Sequence, residues 1–274
     1  MDSYEESIQK QTKTKESLKE NIKVVLDRSA GRRKNMRSYG VTDVGRNRKT
    51  NQDYIFYSDE PVGMFPNLYI VADGMGGHNA GDYASNFSVN RFVELVQEMK
   101  DSHIVLVMRE AIQRVNEELF QKAMSEEDYK GMGTTFVAAV IDGNAMYVMN
   151  IGDSRLYVAG QELVQITMDH SLVQEMIRGG GLNQEEARNH PIKNVITRAV
   201  GAEQQVTPDF FEVSLHKQEH ILLCSDGLTN MVDEDEIMEI IEEEKVENQI
   251  VEKLVECANF YGGRDNISAI VVMQ

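Results

Sequence analysis

Four short stretches of this sequence place an aspartate where an apolar strand begins or ends. Two of them, IVADGMGG (70–77) and LLCSDGL (222–228), run from an apolar strand through a small residue into Asp and Gly. In GGRDNIS (262–268) a strand follows the acid, and in NQDY (51–54) the acid opens the strand YIFY. One Asp-Gly alone is usually a turn. Four acids at strand edges predict one shared site, because strands of two packed sheets can direct them to one point.

Four carboxylates in one place need a cation between them. Asp53, Asp73, Asp226 and Asp265 would repel one another away from water, and their pKa values would rise. Ligation by oxygen alone indicates magnesium or manganese, not zinc. The glycine after Asp73 lets the backbone come close, so the carbonyl of Gly74 can also ligate. Two ions about 4 Å apart can lower the pKa of a water and direct it at phosphorus, although spacing alone does not identify the reaction.

The periodicity of the chain predicts strands in clusters and helices in pairs. The predicted strands, besides those of the four motifs, are GTTFVAAVI (133–141), AMYVMNI (145–151), SRLYVAG (154–160), HILLCSD (220–226) and NISAIVVM (266–273). The predicted helices cover 81–99, 103–124 and 233–259, and a short helix is expected after a cap formed by Asn183 and Glu186. This order favours packed antiparallel sheets covered by helices over an alternating parallel fold.

The charge of the chain is uneven. The 274 residues carry a net charge of −17, but residues 1–37 hold ten Lys and Arg against six Asp and Glu. The rest is therefore strongly acidic, which disfavours nucleic acid as a partner and requires a locally cationic site for any phosphorylated substrate. The longest apolar run, Phe136–Ile141, is far shorter than the roughly 18 residues of a membrane helix. With no signal-like apolar stretch at its start, we expect a cytoplasmic protein without membrane contact.

Composition also divides the chain into two parts. Residues 1–35 are polar and form an N-terminal tail, for which a short amphipathic helix at Ser17–Leu26 and a mobile extension are the two interpretations. No linker-like stretch follows, so we expect one catalytic domain over residues 36–274. The two cysteines, Cys224 and Cys257, are expected to be reduced small hydrophobes, since two cysteines make no disulfide framework.

An ordered set of motifs resembles a known family. TDVGRNRKTNQD, VADGMGGH, GMGTT, NIGDSR, DHS, NHP followed by NVITRAVG, SDGL and GGRDN occur in this order over about residues 38–273. Together they resemble the bacterial type 2C, metal-dependent serine/threonine protein phosphatases. The resemblance implies an α+β fold in which two antiparallel sheets pack face to face with helix pairs on both outer faces, an α-β-β-α sandwich. It implies hydrolysis of phosphoserine and phosphothreonine on proteins by a metal-activated water.

The resemblance also implies residue roles. The metal ligands for two or three manganese or magnesium ions would be Asp53, Asp73, Asp153, Asp226, Asp265 and the carbonyl of Gly74. Among these, Asp73 would bridge two ions, while Asp153 and Asp226 would serve a third, weaker site. Arg48 would bind the substrate phosphate with its forked guanidinium and give the acidic body its cationic spot. Residues 169–198 would form a flap beside the active site.

Two positions depart from the family pattern. Gln52 stands where many relatives have glutamate, and Met75 stands where many eukaryotic relatives have a histidine that serves as general acid. The nearest histidine is His78, which has a suitable pKa for protonating a leaving alkoxide. It is either that catalytic acid or part of the loop, and metal-bound water is the other candidate acid.

Partners and competing functions follow from the same resemblance. The implied partners are phosphorylated proteins and an opposing eukaryote-like serine/threonine kinase, and the chain is expected to be a monomer. A pseudophosphatase that binds without catalysis would lack some of the acids, and all are present. A regulator-type phosphatase acting on an anti-sigma-antagonist protein would carry a sensory domain ahead of the catalytic one, for which 35 polar residues are too few.

Overall fold

The computed structural model describes residues 36–77, 80–183, 186–187 and 190–273. The strands of these residues are β1 (Arg37–Asp43), β2 (Asp53–Ser58), β3 (Leu68–Met75), β4 (Gly133–Thr134), β5 (Phe136–Asp142), β6 (Ala145–Ile151), β7 (Arg155–Ala159), β8 (Leu163–Gln165), β9 (Asp209–Ser214), β10 (His220–Cys224) and β11 (Ile267–Met273). The helices are α1 (Ala80–Glu98), α2 (Ile104–Ser125), α3 (Leu172–Arg178), α4 (Asp226–Thr229), α5 (Glu234–Glu243) and α6 (Glu247–Phe260), and a 3-10 turn covers Glu127–Tyr129.

The strands form two antiparallel sheets. Sheet I has the order β1-β11-β10-β7-β8, and sheet II has the order β2-β3-β5-β6-β9 with β4 paired to β3. The first six residues of β5, FVAAVI, are all buried. A run of apolar residues buried on both faces is what a central strand needs when helices cover one face and a second sheet covers the other.

The alternation within single strands shows how the layers are stacked. In β3, Tyr69 and Val71 face the core between the two sheets, whereas Leu68 and Ile70 pack with α1 and α2. In sheet I, Ile270 faces sheet II while its neighbours along β11 pack with α5 and α6. Since successive side chains of a strand point to opposite faces, the result is a helix–sheet–sheet–helix stack. The predicted α-β-β-α sandwich is confirmed.

Most predicted elements are found within one or two residues of their expected bounds. The predicted helix at 233–259 is divided into α5 and α6 by a break at residues 244–246. The expected cap is present, because Asn183 Oδ1 accepts the Glu186 N–H and Glu186 Oε2 accepts the Asn183 N–H. Two elements were not predicted from the sequence. They are α3, which is capped by the Ser171 side chain, and β9, which is a half-exposed edge strand.

Some expectations fall outside the structural description. The tail of residues 1–35, with its candidate helix at Ser17–Leu26, lies outside the described residues, so the proposed boundary before residue 36 stays a prediction. Within the described residues, no helix combines the length and apolar character needed to cross a bilayer.

Candidate active site

Strand pairing brings the aspartates of both sheets together. In sheet II, Asp53 at the start of β2 is paired directly with Asp73 near the end of β3. In sheet I, β10 runs antiparallel beside β11, so the end of β10 that leads into Asp226 lies beside the start of β11 that follows Asp265. The sheets meet at Asp53, whose Oδ2 accepts hydrogen bonds from the hydroxyls of Ser225 (2.8 Å) and Ser268 (2.7 Å).

The glycine after each strand-end acid is required by close backbone contact. A methyl group added at Gly74 would lie 2.0 Å from the carbonyl oxygen of Gly81, and one at Gly227 would lie 1.8 Å from that of Asn266. No side chain fits at such distances, since a Cβ needs more than 3 Å from backbone atoms. These glycines let α1 approach β3 and let the residues after Asp226 approach those after Asp265.

Burial and mutual repulsion raise the pKa values of four of these acids. Burial is the largest cause, and it raises the pKa of Asp53 to about 7 although the two serine hydroxyls oppose the shift. The pKa of Asp226 rises to about 6 through burial and the charge of Asp265. Burial and neighbouring carboxylates raise the pKa values of Asp73 and Asp153 well above 3.8. The five acids therefore behave as one electrostatic unit, called the acid cluster below.

The acid cluster is open and not a closed metal cage. Among the described residues, no three His, Cys, Asp or Glu side chains are arranged to hold a single ion. Asp265 instead pairs with Arg48 at 2.8 Å, and Asp226 accepts a hydrogen bond from Asn230 at 2.8 Å.

One buried carboxylate oxygen of the acid cluster indicates that a cation binds here. Asp53 Oδ1 is buried and has no hydrogen-bond partner among the described residues. A buried carboxylate oxygen without a partner is costly unless a cation compensates it. With oxygen donors only and pKa values raised by burial and by mutual repulsion, the acid cluster fits a hard divalent cation such as manganese or magnesium.

The loop that carries Arg48 is fixed to the loop that carries Asp265. The backbone N–H groups of Arg46 (2.7 Å) and Asn47 (3.2 Å) both donate to the carbonyl of Gly263. The Arg48 side chain itself is half exposed and donates to Asp265 Oδ2. The structure therefore places the predicted phosphate-binding arginine at the mouth of the acid cluster.

Asp153 is held by a second set of charged groups. It follows Gly152 (φ 103°), whose N–H donates to His170 Nδ1 at 3.0 Å. Beside it, Arg155 makes a forked pair with Asp169, with Nη2 to Oδ2 at 2.7 Å and Nε to Oδ1 at 3.0 Å. Nothing in the spacing of NIGDSR and DHS revealed that these two motifs would be in contact.

Several residues that the sequence analysis left without a role bind the acids or their loops. Asp73 is held by Thr135, whose Oγ1 accepts the Asp73 N–H (2.8 Å), and by Thr134, whose hydroxyl donates to the Asp73 carbonyl (2.9 Å). Asn266 donates from Nδ2 to the carbonyls of Val44 and Thr50, both at 3.0 Å. A buried asparagine directly before an apolar strand was the available signal for this loop-holding role.

Two further positions complete the site description. His78, the candidate general acid, lies outside the described residues. A cavity of about 350 Å³, lined by His220, Met238 and Met273 among others, lies at the opposite ends of β10 and β11 from Asp226 and Asp265. It therefore does not belong to the acid cluster.

Comparisons with known proteins show the family of this chain. The sequence model of the family described as Protein phosphatase 2C matches residues 44–256. This chain belongs to the protein phosphatase 2C family. It is 42% identical over 241 residues to the "Serine/threonine phosphatase stp" of Listeria monocytogenes, an alignment covering 84% of this chain and 93% of that protein. The predicted family and enzyme class are confirmed, and the chain is a protein phosphatase of the 2C type.

Solved structures of similar phosphatases share the fold of this 2C phosphatase. The serine/threonine phosphatase of S. agalactiae matches with a TM-score of 0.81 and 36% identity, covering 87% of this chain and 99% of that one. The catalytic domain of the phosphatase PstP, solved in complex with two manganese ions, matches with a TM-score of 0.77 and 30% identity over 87% of this chain and 97% of its own.

Proposed function

We propose that this 2C phosphatase hydrolyses phosphoserine and phosphothreonine on proteins with the help of two or three manganese or magnesium ions. The observation that carries the proposal is the acid cluster, in which four of five carboxylates have raised pKa values and Asp53 has a buried oxygen without a partner among the described residues. Bound cations would compensate the charge of such a site. The relative PstP, which was solved with two manganese ions, supports the choice of metal.

The residues that would hold the ions are those of the acid cluster together with Gly74. Asp73 would bridge two ions, Asp226 and Asp265 would ligate one of them, and Asp153 would serve a third. Divalent ions of this kind supply a nucleophilic water of lowered pKa and offset the charge of the phosphoryl oxygens. For Asp265 to ligate, its carboxylate must share or give up the bond to Arg48.

Arg48 would bind the substrate phosphate. Its guanidinium is exposed to solvent on one side and lies against Asp265 on the other, so a phosphate entering the site meets the arginine at the mouth of the acid cluster. The forked donors of arginine match two phosphate oxygens, and hydrogen bonds of this charged type are the stronger ones. The backbone bonds to Gly263 hold the loop, so the arginine is preorganised for this contact.

The wider biological setting is also part of the proposal. Opposition to a eukaryote-like serine/threonine kinase, a cytoplasmic location and a monomeric state rest on the family resemblance and the sequence. The same holds for one catalytic domain over residues 36–274 and for His78 as general acid.

The test is phosphate release from a phosphothreonine peptide. We expect activity with manganese, no activity with a chelator, and a loss of at least about 10²-fold in Asp226→Asn, as for removal of a preorganised charge-stabilising group. Asp142→Asn, which changes an exposed acid in the β5–β6 turn, is the matched control and should keep wild-type activity. Activity that survives chelation, or a wild type inert with both metals, would refute the proposal.

A further inference from the structure

An exposed aromatic pair stands at the end of α6. Phe260 is 82% exposed, the largest value among the bulky hydrophobic side chains of the described residues, and Tyr261 is 47% exposed. Their rings meet edge to face with centroids 5.5 Å apart. Tyr261 is fixed because its hydroxyl donates to Glu236 Oε1 at 3.1 Å. An aromatic pair held in solvent by such a contact is typical of an interaction site, since large exposed apolar groups are otherwise costly.

The aromatic pair is joined to the active site by a short glycine turn. Phe260 is five residues before Asp265 in the sequence. Gly262 (φ 129°) and Gly263 (φ 48°) turn the chain, and the Gly263 carbonyl accepts two backbone N–H groups from the Arg48 loop. The surface that begins at Phe260 therefore continues into the loop that carries the proposed phosphate-binding arginine.

The cations along this surface are unpaired. Arg46, Lys49 and Arg264 are exposed, and none of them forms an ion pair with an acidic side chain among the described residues. Arg264 lies beside the turn, with its Cγ 3.8 Å from where a methyl on Gly262 would be. Arg46 and Arg264 both lie against the glycine turn, and Lys49 follows Arg48 in the sequence, which is unexpected on a chain with a net charge of −17. They attract negative charge in addition to the phosphate that Arg48 would bind.

We propose that Phe260, Tyr261, Arg264, Arg46 and Lys49 form a docking surface for the segment of a phosphoprotein that flanks its phosphorylated residue. The segment carries an apolar side chain, which packs on the aromatic pair, and acidic residues, which meet the three cations. Charge complementarity at Arg46, Lys49 and Arg264 selects acidic residues over basic ones, whereas the aromatic pair borders Glu236 and takes the apolar side chain. The inference rests on the proposed function, since it assumes that the phosphorylated residue is bound at Arg48.

One extended peptide is long enough to reach both the aromatic pair and the proposed phosphate site at Arg48. An extended chain advances about 3.3 Å per residue, so five substrate residues span about 17 Å. Phe260 and Asp265 are also five residues apart in this chain. Because the chain turns between them, the distance from one to the other is no longer than five extended residues. The apolar side chain of the substrate is therefore expected within about five residues of the phosphorylated one.

The experiment compares three substrates with manganese present. Para-nitrophenyl phosphate is too small to reach the docking surface, a phosphothreonine peptide flanked by leucine and glutamates can reach it, and a third peptide has these flanking residues replaced by alanine. The variants are Phe260→Ala and Arg264→Ala. Met124→Ala and Lys130→Ala are matched controls, since Met124 is 71% exposed at the end of α2 and Lys130 is an exposed cation.

We expect Phe260→Ala to lower kcat/KM for the leucine–glutamate peptide about tenfold through KM, as for an interface hot spot. Hydrolysis of para-nitrophenyl phosphate should stay within about twofold of wild type, and both controls should behave as wild type. Arg264→Ala should act on the same peptide and reduce the salt dependence of its KM.

Four outcomes would overturn the docking surface. The first is equal hydrolysis of the two peptides by the wild type, and the second is an equal loss on all substrates in Phe260→Ala. The third is a dimer in solution that Phe260→Ala dissociates, because a second copy would then cover this surface. The fourth is a wild type that cleaves none of the three substrates. That result refutes the proposed function as well, which distinguishes it from the other three.

Discussion

Two neighbouring regions of this phosphatase differ in whether their carboxylates are paired with cations. In the acid cluster Asp265 pairs with Arg48, and the pKa values of the other four carboxylates are raised. The second region, called the ion-pair network, consists of Arg155, Asp169, His170, Arg198 and Asp209. There each acid has its cation: Arg155 makes a forked pair with Asp169, and Arg198 donates to Asp209 Oδ1 at 2.8 Å.

The pKa of Asp209 shows the difference most directly. Burial alone would raise it, as it does for Asp53, but the hydrogen bonds from His170 and Arg198 outweigh burial and lower it. The ion-pair network is complete without any ligand and therefore supports structure. Among the described residues the acid cluster has an ion-pair partner only for Asp265, and uncompensated carboxylates of this kind are typical of a cation-binding site.

The strongest test of this comparison makes the same chemical change in both regions. Asp73→Asn should lower manganese-dependent activity by at least about 10²-fold. It should also raise the melting temperature of the metal-free protein, because one of five repelling charges is removed. Asp209→Asn should lower the melting temperature, because it weakens the bonds to His170 and Arg198. Thermal unfolding in chelator measures both, and a lowered melting temperature in both variants would contradict the comparison.

Removing the cation of the network should have the next largest effect. Arg155→Met leaves the largely buried Asp169 without its cation and next to Asp153, with only the neutral donor Gln165, which costs about 3–5 kcal/mol. The melting temperature should fall by about 10 °C, since each kcal/mol corresponds to about 2–4 °C in a domain of this size. Arg114→Met, which removes an exposed pair with Glu110 on α2, is the control and should cost less than about 1 kcal/mol. Equal losses would show that the network contributes no more than a surface pair.

His170 connects the two regions, and two substitutions separate its contacts. Its Nδ1 accepts the Gly152 N–H beside Asp153, so Nε2 carries the proton and donates to Asp209 Oδ2 at 3.1 Å. His170→Asn can keep the first bond and His170→Gln the second. We expect His170→Gln to need about tenfold more manganese for half-maximal activity, as for other residues that position a metal ligand. His170→Asn should need a smaller increase in manganese. If His170→Asn needed more manganese than His170→Gln, the bond from His170 to Gly152 would not contribute to metal binding.

The acid cluster was largely predictable from the sequence, and the ion-pair network was not. Asp73 and Asp226 follow apolar strands and precede glycines, a local pattern that can be read without knowing the fold. The partners of the network are 14 residues apart in Arg155–Asp169 and 39 in His170–Asp209. Each one alone is indistinguishable from an ordinary surface charge, and only tertiary pairing gives it a partner.

For Gly74, the reason drawn from the sequence pattern was incomplete. The glycine after Asp73 was expected to free its carbonyl as a ligand. The structure gives a separate reason, since any side chain at Gly74 would collide with the Gly81 carbonyl. The direct pairing of Asp53 with Asp73 was likewise beyond sequence reasoning, because strand register is set by long-range pairing. Short or half-exposed elements such as α3 and β9 were missed because they carry too few periodic residues.

The smallest expected effect is a pH dependence that separates the two regions within one titration. The pKa of Asp53 in the folded protein is about 7 and that of Asp226 about 6, both above the ordinary 3.8. Folding then takes up protons, so the stability they contribute is complete below about pH 4 and is lost as pH rises through these values. His170 acts in the opposite sense, because burial and Arg198 lower its pKa below 6.5 and stability is lost as pH falls through that range.

Between pH 8 and 6.5 the acid cluster should therefore dominate the change in stability of the metal-free protein, because His170 and His220, whose pKa values are lowered by burial, act mainly below pH 6.5. We expect its melting temperature to rise by a few degrees over this interval, and the rise to be smaller in Asp53→Asn. Manganese should raise the melting temperature more at pH 8 than at pH 6.5, because more of the carboxylates are ionised at pH 8 and binding displaces fewer protons. A metal-free melting temperature that falls between pH 8 and 6.5 would mean that the carboxylates are already compensated within the chain, and the contrast between the two regions would be lost.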